Sequence, residues 1–316
     1  MKDKTSYMYI YGPVPSRRLG FSLGIDIIPF KACTFDCIYC QLGPTTQKTI
    51  ERKKYFSSKE ILSAIKKKLD SGRRIDYITF SGSGEPSLNS DIGKLIREIK
   101  KITSIPVAVL TNGSLLYRKS VRKDLSAADL VVPSLDAATQ KAFVKTNRPH
   151  SSLKLDEIIE GLEKFRQEFK GSIWLEIMLV KGVNDSPPHL RKLKEAIANI
   201  KPEKIHLNTV VRPPTEKFAR PLSQKELEKI KKFLGKNAEI IAEFDKKAQK
   251  LSSENLEKAI LSIIQRRPVT LSDISASLGA HKNEVIKYLN FLLEEGKIQY
   301  TSHKGLKYYE PRKKNQ

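Results

Sequence analysis

Three cysteines within eight residues are the side chains whose type and spacing most directly suggest chemistry. The segment Cys33-Thr-Phe-Asp-Cys37-Ile-Tyr-Cys40 has the spacing C-x3-C-x2-C, and the 316-residue sequence has no other cysteine. Such a loop lets three thiolates converge on one cubic iron–sulfur cluster from a single short segment. Because the usual structural cluster takes four protein thiolates, one iron would be left open for a substrate or cofactor to chelate.

The cysteines also allow other interpretations from the residues alone. Three thiols cannot build a disulfide framework or a closed four-cysteine site. They could be three buried or unrelated thiols, or they could hold zinc with a fourth ligand such as His206 or His150.

The elements that must position this loop follow a regular order. From about residue 20 to 245, apolar runs rich in β-branched residues alternate with amphipathic helical patterns. This alternation is typical of βα units around a parallel sheet, and six units fit a partial (β/α)6 barrel of the TIM type. A doubly wound sheet is the alternative, because periodicity does not show whether a sheet curls. The predicted strands are Ser22–Phe30, Ile75–Ser81, Ile105–Leu110, Leu130–Leu135, Ile173–Val180 and Ile205–Val211, with a short seventh at Glu239–Glu243.

Two predicted helices begin with the spacing of a capping box. Ser57 with Glu60, and Ser223 with Glu226, are placed so that each pair can satisfy backbone donors reciprocally. We expect a helix to begin at each serine.

Polar groups follow several of the predicted strands. In parallel βα folds the loops after the strands converge on one face, where reactive groups sit. The cysteine loop follows the first strand, and the run Thr79-Phe-Ser-Gly-Ser-Gly84-Glu85-Pro86 follows the second. Taken alone, that run would be a tight turn before a helix. Later strand ends supply Asn112, Ser134, Asp136, Glu176 and Asn184.

The sequence pattern changes after residue 245. Residues 246–252 are polar and charged and are interpreted as a linker between a domain at 1–245 and a second at 253–316. The second domain resembles a winged helix-turn-helix in its helix lengths, its glycine turn and its two final strands. Its predicted elements are helices Asn255–Gln265, Leu271–Leu278 and Lys282–Glu294, then strands Ile298–Thr301 and Leu306–Tyr309 joined at Lys304-Gly305.

The cysteine spacing, with Tyr39 before the last cysteine, resembles the hallmark of the radical S-adenosylmethionine (radical SAM) superfamily over residues 20 to about 245. The resemblance implies one [4Fe-4S] cluster on Cys33, Cys37 and Cys40, with S-adenosylmethionine bound at the open iron. It also implies reductive cleavage of that cofactor to a 5'-deoxyadenosyl radical, with the protein supplying orientation and exclusion of water.

The same resemblance implies cofactor contacts. Tyr39 would pack against the adenine, and the run at Gly84 and Glu85 resembles the glycine-rich motif that binds the cofactor's amino group. This run departs from the commoner Gly-Gly-Glu form because Ser83 precedes Gly84. The resemblance also places polar groups around the ribose and the methionine carboxylate of the cofactor. Asn112, Ser134 and Asp136 are the predicted contacts, and Glu176 and Asn184 are further candidates.

Two further segments resemble a subgroup related to the enzyme that builds the tricyclic core of wybutosine in tRNA. They are Gly12-Pro-Val-Pro-Ser-Arg17-Arg18-Leu-Gly20 and Asn208-Thr-Val-Val-Arg212-Pro-Pro. Their arginines could grip a phosphate or carboxylate, or could form surface ion pairs. The flavin domain and additional cysteines of some relatives are absent from this sequence.

The net charge of the chain indicates what kind of substrate the protein binds. The net charge is +23, and residues 252–316 carry 11 Lys and Arg against 7 Asp and Glu, which leaves +19 on the rest of the chain. An anionic substrate on the first domain is therefore expected, and RNA, in particular tRNA, is the first hypothesis. The alternatives are a protein or small metabolite substrate, or a DNA-binding iron–sulfur regulator. A heat-adapted surface would also be rich in lysine.

The remaining expectations concern location and electron supply. No apolar stretch suggests a signal peptide or membrane helix, so we expect a cytoplasmic protein with no membrane contact. A reductant such as ferredoxin or flavodoxin is expected to supply the electron.

Overall fold

The computed structural model describes residues 9–16, 18–211, 214–241, 256–280, 285, 288–289, 292–293, 295–303 and 306–312. The predicted linker, 246–252, lies outside these ranges, as do Arg17, Arg212 and the predicted turn at Lys304-Gly305.

One sheet of eight strands organises residues 10–240. Its strands are hydrogen-bonded in the order β1-β2-β5-β6-β7-β8-β9-β10, and a separate pair, β3 and β4, lies beside it. The strand bounds are β1 Ile10–Ser16, β2 Gly20–Ile25, β3 Ala32–Cys33, β4 Gln47–Lys48, β5 Tyr77–Phe80, β6 Val107–Thr111, β7 Leu130–Pro133, β8 Ser172–Leu179, β9 Lys204–Thr209 and β10 Ala238–Ile240.

The strand order distinguishes the two predicted architectures. From β2 to β10 every neighbouring pair is parallel and the order follows the chain. A doubly wound sheet reverses its strand order at a switch point, so that alternative is wrong. The fold is α/β with a mostly parallel sheet, and within the described residues β1 and β10 are its two open edges, as in a partial barrel.

The six predicted strands are confirmed as β2 and β5 to β9, and the short seventh as β10. The largest difference is at β2, which ends at Ile25 instead of Phe30. Ile27 and Ile28 are buried although they lie outside the strand, so their apolar character did not mark its end. The antiparallel strand β1 was not predicted.

Helices cover the sheet with their apolar faces. In α2, Ile92, Leu95, Ile96 and Ile99 are fully buried at the i, i+3, i+4, i+7 spacing of a core-facing helix. The helices of this part are α1 Ser58–Leu69, α2 Ile92–Ile102, α3 Lys119–Leu125, α4 Gln140–Asn147, α5 Leu155–Glu168, α6 Pro187–Ile200 and α7 Gln224–Leu234.

The two predicted capping boxes had different outcomes. Ser223 and Glu226 form the reciprocal hydrogen bonds at the start of α7. Ser57 does precede α1, but its side chain makes no capping bond, so that prediction is wrong. The Glu60 carboxylate instead accepts a hydrogen bond from the Tyr9 hydroxyl at 2.9 Å.

The C-terminal part has two described helices, α8 Leu256–Ile264 and α9 Leu271–Leu278, and an antiparallel hairpin of β11 Ile298–His303 and β12 Leu306–Pro311. Between α9 and the hairpin, residues 285, 288–289 and 292–293 are helical. Their side chains join a separate hydrophobic core. None of the described helices is long and apolar enough to cross a membrane.

Candidate active site

A cleft of about 620 Å³ opens at the carboxyl ends of the parallel strands. Its lining includes groups from the loops after β2, β5, β6 and β7 and from the ends of β8 and β9. This is the face on which parallel βα folds place their reactive groups. The predicted convergence of the strand-end motifs is therefore confirmed for the groups that line the cleft.

A side-chain nitrogen donor lies beside each cysteine sulfur. The Asn112 side-chain amide is 3.6 Å from the Cys33 Sγ, the Asn147 amide is 3.5 Å from the Cys37 Sγ, and the Lys31 ammonium is 3.1 Å from the Cys40 Sγ. Donors at this range favour an anionic sulfur and tune cluster ligands. Cys33 and Cys40 also line the cleft.

The surroundings of two thiols disfavour their ionisation when no metal is bound. Burial, with the nearby Glu85 carboxylate, raises the pKa of Cys33 to about 12. Burial and the Asp136 carboxylate raise the pKa of Cys37 well above its usual value. Metal loading must therefore displace thiol protons, because the thiolate is the ligand.

Neither candidate histidine for a zinc site contacts a cysteine. His206 packs edge-on against Trp174 at 5.4 Å between ring centres, and its Nε2 lies 3.9 Å from the Glu239 carboxylate. His150 accepts a hydrogen bond from the Ser152 backbone. Among the described residues, no group of three or more His, Cys, Asp or Glu side chains is arranged to hold one metal ion. A cubic cluster does not require its protein ligands to converge on one ion, because each ligand binds a different iron.

The glycine-rich loop after β5 packs tightly against the cysteine loop. A Cβ on Gly84 would lie 1.9 Å from the Ala32 carbonyl oxygen, so no other residue fits without a backbone shift. The Ser83 hydroxyl donates to the Asp26 carboxylate at 2.6 Å. Ser83, which departs from the common motif, therefore anchors this loop to the end of β2.

Glu85 is buried, although it reaches the cleft lining. Its carboxylate accepts hydrogen bonds from the Thr111 hydroxyl at 2.6 Å and from the backbone N–H groups of Asn112 at 2.7 Å and Ser87 at 2.9 Å. Burial nevertheless raises its pKa. Glu85 thus connects the loop after β5 to the loop after β6, where Asn112 reaches Cys33.

Asp136 lies behind the cleft wall and is absent from its lining. Its carboxylate accepts hydrogen bonds from the Tyr39 hydroxyl, from the Asn147 amide at 2.8 Å and from the Met178 backbone N–H at 2.9 Å. Burial raises its pKa to about 6. Asp136 therefore holds Tyr39, which lines the cleft, and Asn147, which contacts Cys37.

The remaining strand-end residues also fall into two groups: some line the cleft, and others lie behind its wall. Ser134, after β7, lines the cleft, and so does Glu176, which pairs with Arg18 at 2.5 Å. Asn184 is buried and donates to the backbone carbonyls of Asp136 and Met178, both at 2.8 Å. Glu176 is thus placed at the cleft and Asn184 is placed to hold its wall.

No individual residue of the C-terminal part was predicted at this site. Five of its side chains, Arg266, Arg267, Asp273, Ser277 and Tyr308, line the cleft. Arg266 pairs with Asp26 at 2.5 Å, and the Tyr308 hydroxyl donates to the Val211 carbonyl at 3.1 Å. The Arg266-Arg267 pair was the one available signal, but nothing in its sequence position indicates which surface it faces.

A parallel βα sheet with one cleft at its strand ends and a C-x3-C-x2-C loop at that cleft defines a class of cofactor-dependent enzymes. Residues 27–193 match the family model of the radical SAM superfamily, and the chain belongs to that superfamily. Membership implies a [4Fe-4S] cluster and S-adenosylmethionine. The donors beside the sulfurs and the adjoining cleft fit these groups.

Curated relatives and one solved structure are similar to this chain. A UPF0026 protein of Methanocaldococcus jannaschii is 35% identical, covering 95% of this chain and 94% of that protein. A Brachyspira hyodysenteriae protein called GTPase Obg is 40% identical over 98% of this chain but only 46% of its own length. The solved structure of TYW1 with a lysine-pyruvate adduct bound has a TM-score of 0.51 at 18% identity, covering 67% of this chain and 72% of that one.

Proposed function

We propose that Cys33, Cys37 and Cys40 hold one [4Fe-4S] cluster whose fourth iron is open to S-adenosylmethionine in the cleft. The observation that carries this proposal is that all three sulfurs lie beside a nitrogen donor, at a loop that borders the cleft. When bound, these cofactors supply a 5'-deoxyadenosyl radical that abstracts a hydrogen atom from the substrate.

The cleft-lining residues Tyr39, Gly84, Glu85, Asn112 and Ser134 are proposed to surround the cofactor. Asp136 supports the cofactor site indirectly, because its carboxylate accepts hydrogen bonds from Tyr39 and Asn147. The loop at Gly84 offers backbone carbonyls, since a glycine leaves the approach to them open. This chain's residues therefore orient the cofactor and exclude water from it.

The proposed substrate is RNA, in particular tRNA. A net charge of +23 favours a polyanion, and RNA is one, because its phosphates release counterions when Lys and Arg side chains neutralise them. The segments at 12–20 and 208–214 support kinship with the wybutosine-forming enzymes. Arg18, in the first segment, pairs with Glu176, and Asn208, in the second, donates to Glu176 at 3.0 Å. Because Glu176 lines the cleft, described parts of both segments lie at the cleft.

We propose that residues 253–316 form a winged helix-turn-helix that helps to hold this RNA over the cleft. The order of α8, α9, the helical positions from 285 to 293 and the β11–β12 hairpin supports that assignment. Arg266 pairs with Asp26 and the Tyr308 hydroxyl donates to the Val211 carbonyl, and these contacts support the proposed position beside the cleft. We further propose that a cytoplasmic reductant of the ferredoxin or flavodoxin type supplies the electron. Such a protein is acidic, and the basic surface of this chain would attract it.

The substrate proposal is tested with tRNA from a strain that lacks the gene. Purified tRNA is incubated anaerobically with the reconstituted protein, S-adenosylmethionine and a reductant, then digested and analysed by nucleoside mass spectrometry. A mass change in one nucleoside that requires the intact cysteines is the expected result. Unchanged tRNA, together with a product in a protein or metabolite fraction, would refute the RNA substrate in favour of the rival classes.

A further inference from the structure

The C-terminal part supplies one wall of the cleft, and that wall carries two adjacent arginines. Arg266 and Arg267 follow α8, and both line the cleft. Arg266 is committed to the protein itself: its guanidinium pairs with the buried Asp26 and lies over the Tyr11 ring at 5.3 Å. Arg267, the next residue, has a different environment.

The carboxylates that line the cleft together with Arg267 have hydrogen-bond or ion-pair partners of their own. In the cleft lining, Glu176 pairs with Arg18. Asp273 accepts hydrogen bonds from the Thr270 hydroxyl at 2.8 Å and the Thr270 backbone at 3.1 Å. Across the described ranges, no hydrogen bond or ion pair holds the partly buried Arg267 guanidinium. A cation without a protein partner at this depth favours an anionic ligand.

We infer that Arg267 binds a phosphate group of the substrate in the cleft. A guanidinium presents a planar fork that matches phosphate oxygens, and partial burial strengthens the pairing relative to bulk water. Because Arg266 fixes this wall, the adjacent Arg267 is held at the cleft while its own guanidinium stays open to the substrate. This inference rests on the proposed RNA function and assigns one of its phosphate contacts.

The test measures the salt dependence of binding between the full-length protein and a labelled tRNA transcript. Replacing Arg267→Ala removes one phosphate contact, so the slope of log affinity against log salt should become shallower by about 0.7 to 1. Affinity at low salt should fall about tenfold, as for loss of a charge-assisted contact. Arg267→Lys keeps the charge and should keep the slope while losing part of the affinity.

The matched control is Arg97→Ala, which removes the same side chain from an exposed position on α2. Its slope should equal that of the wild type. Equal slopes for wild type and Arg267→Ala, or equal losses in Arg267→Ala and Arg97→Ala, would overturn the assignment of Arg267 while leaving RNA as the substrate. Absence of salt-dependent tRNA binding by the wild type would instead refute the RNA function itself.

Discussion

The Arg266 guanidinium lies 2.5 Å from the Asp26 carboxylate, so the segment that follows β2 and the segment that follows α8 meet beside the cleft. Asp26 is almost fully buried and also receives the Ser83 hydroxyl. The C-terminal part is therefore connected through Asp26 to the glycine-rich loop that borders the cysteines.

Removing one partner of this pair should be costly. Arg266→Ala leaves the Asp26 charge buried and unpaired, which typically destabilises a protein by about 3–5 kcal/mol. Urea unfolding should show this loss, whereas Arg74→Ala, which breaks an exposed pair with Asp76, should cost at most about 1 kcal/mol. Similar losses in the two variants would show that the Arg266 contact contributes little to docking.

Gly84 should tolerate no side chain. Because a Cβ there would lie 1.9 Å from the Ala32 carbonyl oxygen, Gly84→Ala must shift the backbone that leads to Cys33. We expect a lower melting temperature and less iron bound per chain after reconstitution. Gly182→Ala is the control: its Cβ meets no atom within 4 Å, and only its positive φ costs about 1 kcal/mol. Full iron loading of Gly84→Ala would contradict the close packing of the two loops.

Lys31 should raise the reduction potential of the cluster. Its buried ammonium lies 3.1 Å from the Cys40 sulfur, and a cation there favours the more negative, reduced state. Lys31→Met should therefore lower the midpoint potential in a redox titration followed by electron paramagnetic resonance, and Lys31→Arg should retain most of it. An unchanged or higher potential in Lys31→Met, with full iron content, would rule out this electrostatic role.

Tyr39 and Asp136 should act as one unit. The Tyr39 hydroxyl donates to the Asp136 carboxylate, so Tyr39→Phe and Asp136→Ala remove the same contact. Their effects on S-adenosylmethionine affinity, measured by calorimetry on reconstituted protein, should be non-additive by about 0.5–3 kcal/mol. Additive effects would indicate that Asp136 does not act through Tyr39.

His206 should make the cluster-free fold sensitive to mild acid. Burial, with the nearby Arg18 charge, lowers the pKa of His206 to about 4, against about 6.5 in an unfolded chain. The unfolded state binds the proton first as pH falls, so stability present above pH 6.5 is lost towards pH 4, by up to about 3 kcal/mol. Thermal unfolding across this range should be flatter for His206→Phe. Identical pH profiles would contradict the assignment.

Much of the fold was predictable because most of the parallel strands are almost fully buried and form continuous apolar runs, while β8 alternates buried and half-buried residues. The unpredicted strand β1 contains Gly12, Pro13 and Pro15, whose composition indicates a turn. At the site, residue type and spacing identified the cysteines and the strand-end polar groups. They could not indicate that Asp136 faces inward while Glu176 faces the cleft, because that depends on side-chain packing. Nor could they place Arg266 beside Asp26, since that contact forms only when the two parts of the chain dock.

The three cysteines should support radical cleavage of S-adenosylmethionine. The most direct measurement is anaerobic reconstitution with iron and sulfide, reduction with dithionite in the presence of S-adenosylmethionine, and quantification of 5'-deoxyadenosine, with and without added tRNA. We predict 5'-deoxyadenosine from the wild type and none from Cys37→Ala. No 5'-deoxyadenosine from wild-type protein with a fully loaded cluster under either condition, or equal amounts from Cys37→Ala, would contradict this role of the cysteines.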